Sequence, residues 1–231
     1  MNTARKQSLG YMPTFLQHFA WLPLRLFMVT FCSLKLEGVE NIEKISGNVI
    51  IASNHSSELD PLFLVAALPF FSRHLPLIFV SREKSFYRDS ALGLIYGGDF
   101  FRMMGAYPAY TGLNDYDKAL AHHIEAAKQG KTICIFPIGK LHSLNDSESA
   151  KGGVIHLTQK TELPIVPVLI EGLKGYKTTD FLRGKCKLRI TFGKPLYWND
   201  IIEKTGSKDP ENLHKQAAIG LMNHIANKRI T

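Results

Sequence analysis

The stretch Ser-Asn-His-Ser-Ser-Glu-Leu-Asp-Pro, residues 53–61, places His55 five positions before Asp60, just where an apolar run stops. A neutral imidazole can accept a hydroxyl proton at one nitrogen while the other donates to a carboxylate. The carboxylate then fixes the tautomer and stabilises the imidazolium that forms. Such a pair needs no serine nucleophile, because a base-activated hydroxyl can attack a thioester carbonyl directly. The chain contains no Gly-x-Ser-x-Gly elbow to supply one. Read alone, the same residues also admit a purely structural role. Asp60 before Pro61 suits a helix cap, and Asn54 and His55 suit loop backbone bonding.

The elements around the pair decide whether it can assemble. Short β-rich runs recur at residues 33–39, 48–53, 75–81, 131–136, 163–170 and 186–193, several continuously apolar as strands covered on both faces tend to be. Between them lie helical patterns: one from Asp60-Pro61, one over 113–130 with Asn114 or Asp115 near its start and Gly130 as a stop, and a last one from Asp209-Pro210. Strands alternating with helices predict an α/β fold, a mixed, mostly parallel sheet flanked by helices, whose ligand sites gather beyond strand ends. His55 and Asp60 then lie on a loop at the end of the 48–53 strand.

With 231 residues the chain suits one domain with a full core. The expected division is an N-terminal segment over 1–33 and one α/β domain over 34–231. Cys32, Cys134 and Cys186 are odd in number and lack Cys-x-x-Cys spacing, which argues against a disulfide framework or a zinc site and favours a reducing compartment. The net charge of +8 favours anionic partners. Because Lys and Arg are scattered rather than interleaved with aromatics on one element, nucleic acid is not expected among them.

Residues 11–34 are the most apolar part of the chain, yet Gln17, His18, Arg25, Pro13 and Pro23 interrupt them. No acidic residue precedes Glu37, whereas Arg5, Lys6, Arg25 and Lys35 are basic and Tyr11, Trp21, Phe15, Phe19, Phe27 and Phe31 are aromatic. That composition suits a helix lying in the headgroup layer of an anionic membrane. A helix docked on the domain, or a single span, is the alternative.

The 53–61 stretch resembles the first signature of the lysophospholipid acyltransferase family, typified by 1-acylglycerol-3-phosphate acyltransferases, whose pattern is Asn-His, four residues, Asp. Later blocks similar to that family's follow in order: Gly-Ala-Tyr-Pro-Ala-Tyr at 105–110, Ile-Phe-Pro-Ile-Gly-Lys at 135–140 and Leu-Pro-Ile-Val-Pro-Val-Leu-Ile-Glu-Gly at 163–172. The resemblance covers roughly residues 34 to 195. It implies His55 as the general base on an acceptor hydroxyl and Asp60 as its orienting partner. It also implies a substrate-binding set of Asn54, Gly105, Thr111, Phe136, Pro137, Gly139 and Lys140, with the Gly139 loop offering backbone donors to the oxyanion. The implied donor is acyl-CoA or acyl carrier protein, the acceptor a lysolipid, and the place the cytoplasmic face of a membrane, peripheral or single-span. No cofactor and no metal are implied.

Two of these blocks depart from the family pattern. Thr111 stands where an arginine usually binds the acceptor phosphate, and Ile138 where the third block usually carries glutamate, with Leu141 in place of that block's arginine. Lysine replaces a bidentate guanidinium only as a point charge. Lys140, His142, Lys151 and Arg102 are the cations near enough in sequence to compensate, although none occupies the matched position.

Overall fold

Apolar, β-branched runs between polar turns supply the strands. The computed structural model describes residues 11–81, 102–110, 115–139, 141, 146–173, 186–205 and 210–227. In chain order come α1 (Met12–Phe31), β1 (Lys35–Glu37), α2 (Glu40–Glu43), β2 (Ile50–Ser53), α3 (Asp60–Ala67), β3 (Leu77–Ser81) and β4 (Ala106–Pro108). They are followed by α4 (Tyr116–Ala119), α5 (Ala121–Lys128), β5 (Thr132–Ile135), α6 (Gly153–Thr161), β6 (Ile165–Glu171), β7 (Arg189–Phe192), α7 (Trp198–Thr205) and α8 (Pro210–Ala226).

Among the described residues, seven strands form one sheet in the order β1-β7-β6-β2-β5-β3-β4. From β6 to β4 every neighbouring pair is parallel; β7 runs antiparallel to β6, and β1 parallel to β7. The carboxyl ends of β2, β3, β4, β5 and β6 therefore share one edge of the sheet, where sites in such folds collect.

Alternation along each strand divides the core in two. Ile50 and Ala52 on β2 join a cluster with α5, α6 and α8, whereas Ile51 joins a cluster with α1 and α3. With both faces covered, the strands read as continuous apolar runs and the sheet is anchored from each side.

Several expectations are sharpened. The six expected strands are present, five within shorter bounds and β6 shifted to Ile165–Glu171, and a seventh, β4, falls inside the Gly-Ala-Tyr-Pro-Ala-Tyr block. The helix expected over 113–130 is two, broken at Leu120, whose φ of −113° and ψ of 13° leave the helical region. Gly152 caps the start of α6 and Gly153 is its first residue. Pro167 lies inside β6.

Helix α1 docks across α3 and the start of β3 through three polar side chains spaced one turn apart. Gln17 is fully buried: its amide nitrogen donates to Leu77 O and Met104 O, and its carbonyl accepts from Leu77 N, all at 2.8 Å. Trp21 Nε1 donates to Leu68 O at 2.8 Å and Arg25 Nη1 to Ala66 O at 3.0 Å, satisfying carbonyls that the end of α3 leaves without helical partners. The opposite face of α1 leaves Met12, Phe15, Phe19, Leu22, Leu26 and Val29 exposed. Among the described residues no helix is long and apolar enough to cross a membrane.

Candidate active site

At Ser53 the β2 ladder ends, and the chain must turn from the sheet into α3. Asn54 makes that turn rigid. Its side-chain amide donates to Ile170 O at 2.8 Å and accepts from Ile170 N at 2.7 Å, copying a backbone pair with β6. It is buried, so its amide clips the loop to the neighbouring strand.

The next residue is His55, whose Nδ1 lies 3.1 Å from Asp60 Oδ2. That same oxygen accepts from Ser56 N at 2.6 Å and Ser57 N at 2.9 Å. Asp60 therefore does not act as the expected cap of α3: the cap position is Leu59, and the carboxylate belongs to the first helical turn and reaches back into the loop. Pro61, which has no N–H to lose, lets the helix begin there.

A carboxylate that collects two backbone N–H groups is an acceptor, so the imidazole donates from Nδ1 and leaves the Nε2 lone pair open. The side chain of Asp60 is 0% exposed and that of His55 20% exposed. The carboxylate is sealed while the imidazole reaches solvent, which is the layout a base needs. Beneath the pair, burial together with the negative charge of Asp60 pushes the Cys134 thiol of β5 up, away from thiolate chemistry.

Phe136, the first residue past β5, stacks on the His55 ring with centroids 4.2 Å apart and planes 22° apart. It is buried, and Pro137 after it is buried too. The sequence named Phe136 for substrate binding and gave no sign that its ring supports the histidine; strand order, which sets β5 beside β2, creates that contact.

Gly139 has φ of +70°, and its N–H donates to Phe136 O at 2.8 Å. That N–H closes the turn after Phe136. Ile138 is buried in the core beside α5 and α6. Gly105 precedes β4 at the opposite edge of the sheet from His55, beside Leu77 and Gln17. The structure thus brings Asn54, His55, Asp60, Phe136, Pro137 and Gly139 together and leaves Gly105 apart, while Thr111, Lys140 and His142 lie outside the described residues. Arg102, one of the candidate compensating cations, lies beside Tyr107 and His122. Among the described residues no group of three or more His, Cys, Asp or Glu side chains could hold a metal ion.

The Acyltransferase family model matches residues 33–171, more than half of the chain and the whole span that carries this geometry. The chain belongs to the Acyltransferase family. It is 26% identical over 141 residues to a probable 1-acyl-sn-glycerol-3-phosphate acyltransferase of Mycoplasma pneumoniae, an alignment covering 59% of this chain and 48% of the relative. To a 1-acyl-sn-glycerol-3-phosphate acyltransferase of Borreliella burgdorferi it is 29% identical over 147 residues, covering 62% and 51%. The chain thus spans about half the length of the curated relatives it matches. The crystal structure of the 1-acyl-sn-glycerophosphate acyltransferase PlsC from Thermotoga maritima matches with a TM-score of 0.57 and 19% identity, over 100% of this chain and 86% of that one. At that identity the likeness concerns the acyltransferase fold, with its mixed sheet and N-terminal helix.

Proposed function

We propose that this member of the Acyltransferase family moves a fatty acyl group from a thioester donor, acyl-CoA or acyl carrier protein, to the hydroxyl of a lysophospholipid such as 1-acyl-sn-glycerol-3-phosphate. The observation that carries this reading is the buried Asp60 carboxylate 3.1 Å from His55 Nδ1, with the imidazole opening to solvent at the shared strand edge.

In this reading His55 Nε2 takes the acceptor's hydroxyl proton as that oxygen attacks the thioester carbonyl, forming the C–O bond. Asp60 stays ionised and stabilises the imidazolium. Collapse of the tetrahedral intermediate breaks the C–S bond, and the departing thiolate takes the proton back from His55, which regenerates the base. Phe136 holds the ring in plane throughout. The names of the relatives support phospholipid synthesis as the setting. The apolar outer face of α1, docked but uncovered, supports peripheral attachment in the headgroup layer of a membrane.

Ile138 favours a second reading of the acceptor. Where the family pattern carries a glutamate, this chain buries an aliphatic side chain in the core. An acceptor recognised without that carboxylate fits a lysolipid other than lysophosphatidate, or a protein that binds lipid without turning it over. Purified protein incubated with radiolabelled acyl thioester and a panel of phosphorylated, zwitterionic and amine-bearing lysolipids separates these. Product with lysophosphatidate that vanishes in His55→Ala supports the first reading. Product with a non-phosphate acceptor alone moves the substrate, and absence of product across the panel rules against catalysis.

A further inference from the structure

The outer face of α1 does not account for all the apolar surface on its side of the molecule. Beyond the last turn of α3 the chain reads Pro69-Phe70-Phe71-Ser72-Arg73-His74, and Phe71 is 92% exposed. Neighbouring residues prevent it from folding inward. Ser72 is buried, with its N–H donating to Pro69 O at 2.9 Å and its hydroxyl donating to Glu43. His74 is buried between Thr132 Oγ1 at 3.2 Å and Ile42 O at 3.0 Å. With Ser72 and His74 pinned inward in this turn, Phe71 and Arg73 are both exposed.

Phe71 also has a rigid base. Phe70 packs edge-on against Phe71 with centroids 4.9 Å apart, and edge-on against two α1 rings, His18 at 5.0 Å and Trp21 at 5.4 Å. His18 and Trp21 flank the exposed stripe of α1, so the aromatic stack makes Phe71 continuous with that stripe. Arg73, exposed beside it and held by one Nη1–H···O bond to Ser46 O at 3.1 Å, and the exposed Lys44 on the neighbouring turn add positive charge where phosphate headgroups would lie.

We propose that Phe71 is a second insertion point into the same lipid bilayer that α1 contacts, with Arg73 set at the headgroup phosphates; this rests on the reading of α1 as membrane-bound. A large aromatic held fully in water on a braced turn, flanked by cations and joined to an uncovered apolar helix face, matches a bilayer surface better than it matches solvent. The consequence is geometric. Asp60 begins α3 and Phe71 follows its end by four residues, so α3 becomes a strut between the catalytic carboxylate and the membrane. Two attachment points, α1 and this turn, fix the tilt of the sheet and hence how His55 is presented to a lipid acceptor.

The test attaches an environment-sensitive fluorophore at Phe71→Cys and, separately, at Phe19→Cys; the native Cys32, Cys134 and Cys186 are buried and stay unlabelled. Vesicles of three parts phosphatidylcholine to one part phosphatidylglycerol are added, with and without nitroxide-labelled lipid. The expected result is a several-fold rise in emission at both positions, quenched by the nitroxide, and a vesicle affinity that falls about tenfold in Phe71→Ser with its melting temperature unchanged. A response at 19 but not at 71, or a Phe71→Ser affinity equal to wild type, overturns the proposal and leaves the membrane reading of α1 standing. Silence at both positions overturns both.

Discussion

Among the described residues, two His–Asp pairs of nearly equal length are built inside out relative to each other. His55 and Asp60 lie 3.1 Å apart, His156 and Asp117 3.0 Å apart. In the first pair the carboxylate is 0% exposed and the imidazole 20%; in the second the imidazole is 9% exposed and the carboxylate 54%. Asp60 draws two backbone N–H groups from a loop that positions it, whereas Asp117 shares its second oxygen with Lys160 at 3.0 Å, a cation that with His156 holds its carboxyl below the usual range. The inner ring of His156 packs between Tyr116 and His214, and little of it reaches solvent. Distance alone does not make a base; what matters is which partner is sealed and which is left open.

Four experiments, arranged as two matched pairs, break or sharpen that contrast. Replacing His55 by Ala should lower acyl transfer at least about a thousandfold, the loss expected for an essential acid-base group. The matched His156→Ala should change transfer less than twofold and lower the melting temperature instead, because it empties a buried ring site; equal kinetic losses in both would erase the distinction. Asp60→Asn should cost about a hundredfold or more in kcat with folding retained, since the amide keeps the volume but lacks the charge that stabilises the imidazolium. Asp117→Asn, on the surface, should leave kcat within twofold.

A third histidine extends the comparison to pH. His123 is fully buried with no carboxylate partner, and burial, aided by neighbouring His122, pushes it down to about 4 from 6.5. Below about 6.5 the unfolded chain takes a proton that the folded one refuses until about 4, so the unfolded state binds more protons in that window. Stability therefore falls as pH falls through it, by at most roughly 3 kcal/mol from this group. His74, His122 and His214 are shifted the same way by burial. Urea midpoints at pH 7, 6 and 5 should decline, and the decline should be shallower in His123→Gln; an unchanged slope would contradict the assignment. The smallest effect is at Gly139, where a Cβ meets open space but φ of +70° disfavours it. Gly139→Ala should cost about 1 kcal/mol, read as a melting shift of a few degrees.

Much of this was legible in the sequence, and the misses have physical causes. The apolar runs gave six strands because both sheet faces are covered. The seventh, Ala106–Pro108, spans three residues and pairs with β3 alone, too short for any periodicity to register. Gly152 reads as a turn because glycine usually is one. It is there because α8 packs so close that a Cβ would stand 2.6 Å from His214 Cβ, a tertiary fact with no local trace. His55 and Asp60 were named from their spacing and their ordered companions. The stacking of Phe136 and the clip of Asn54 to Ile170 were not, since both depend on which strands become neighbours. Nor did the composition of α1 reveal that Gln17, Trp21 and Arg25 form its docking side; Gln17 and Arg25 look like breaks in an apolar helix, and Trp21 like surface aromatic, until β3 and α3 supply their partners.

The central claim is that Asp60 fixes the His55 proton on Nδ1 and so leaves Nε2 open as the base. Nitrogen-15 NMR of the histidine rings at pH 8, with His55 assigned by its loss in His55→Gln, tests it directly. The structure predicts a protonated Nδ1 and an unprotonated Nε2 at His55. A His55 ring protonated on Nε2, with a bare Nδ1 facing the carboxylate, would contradict it.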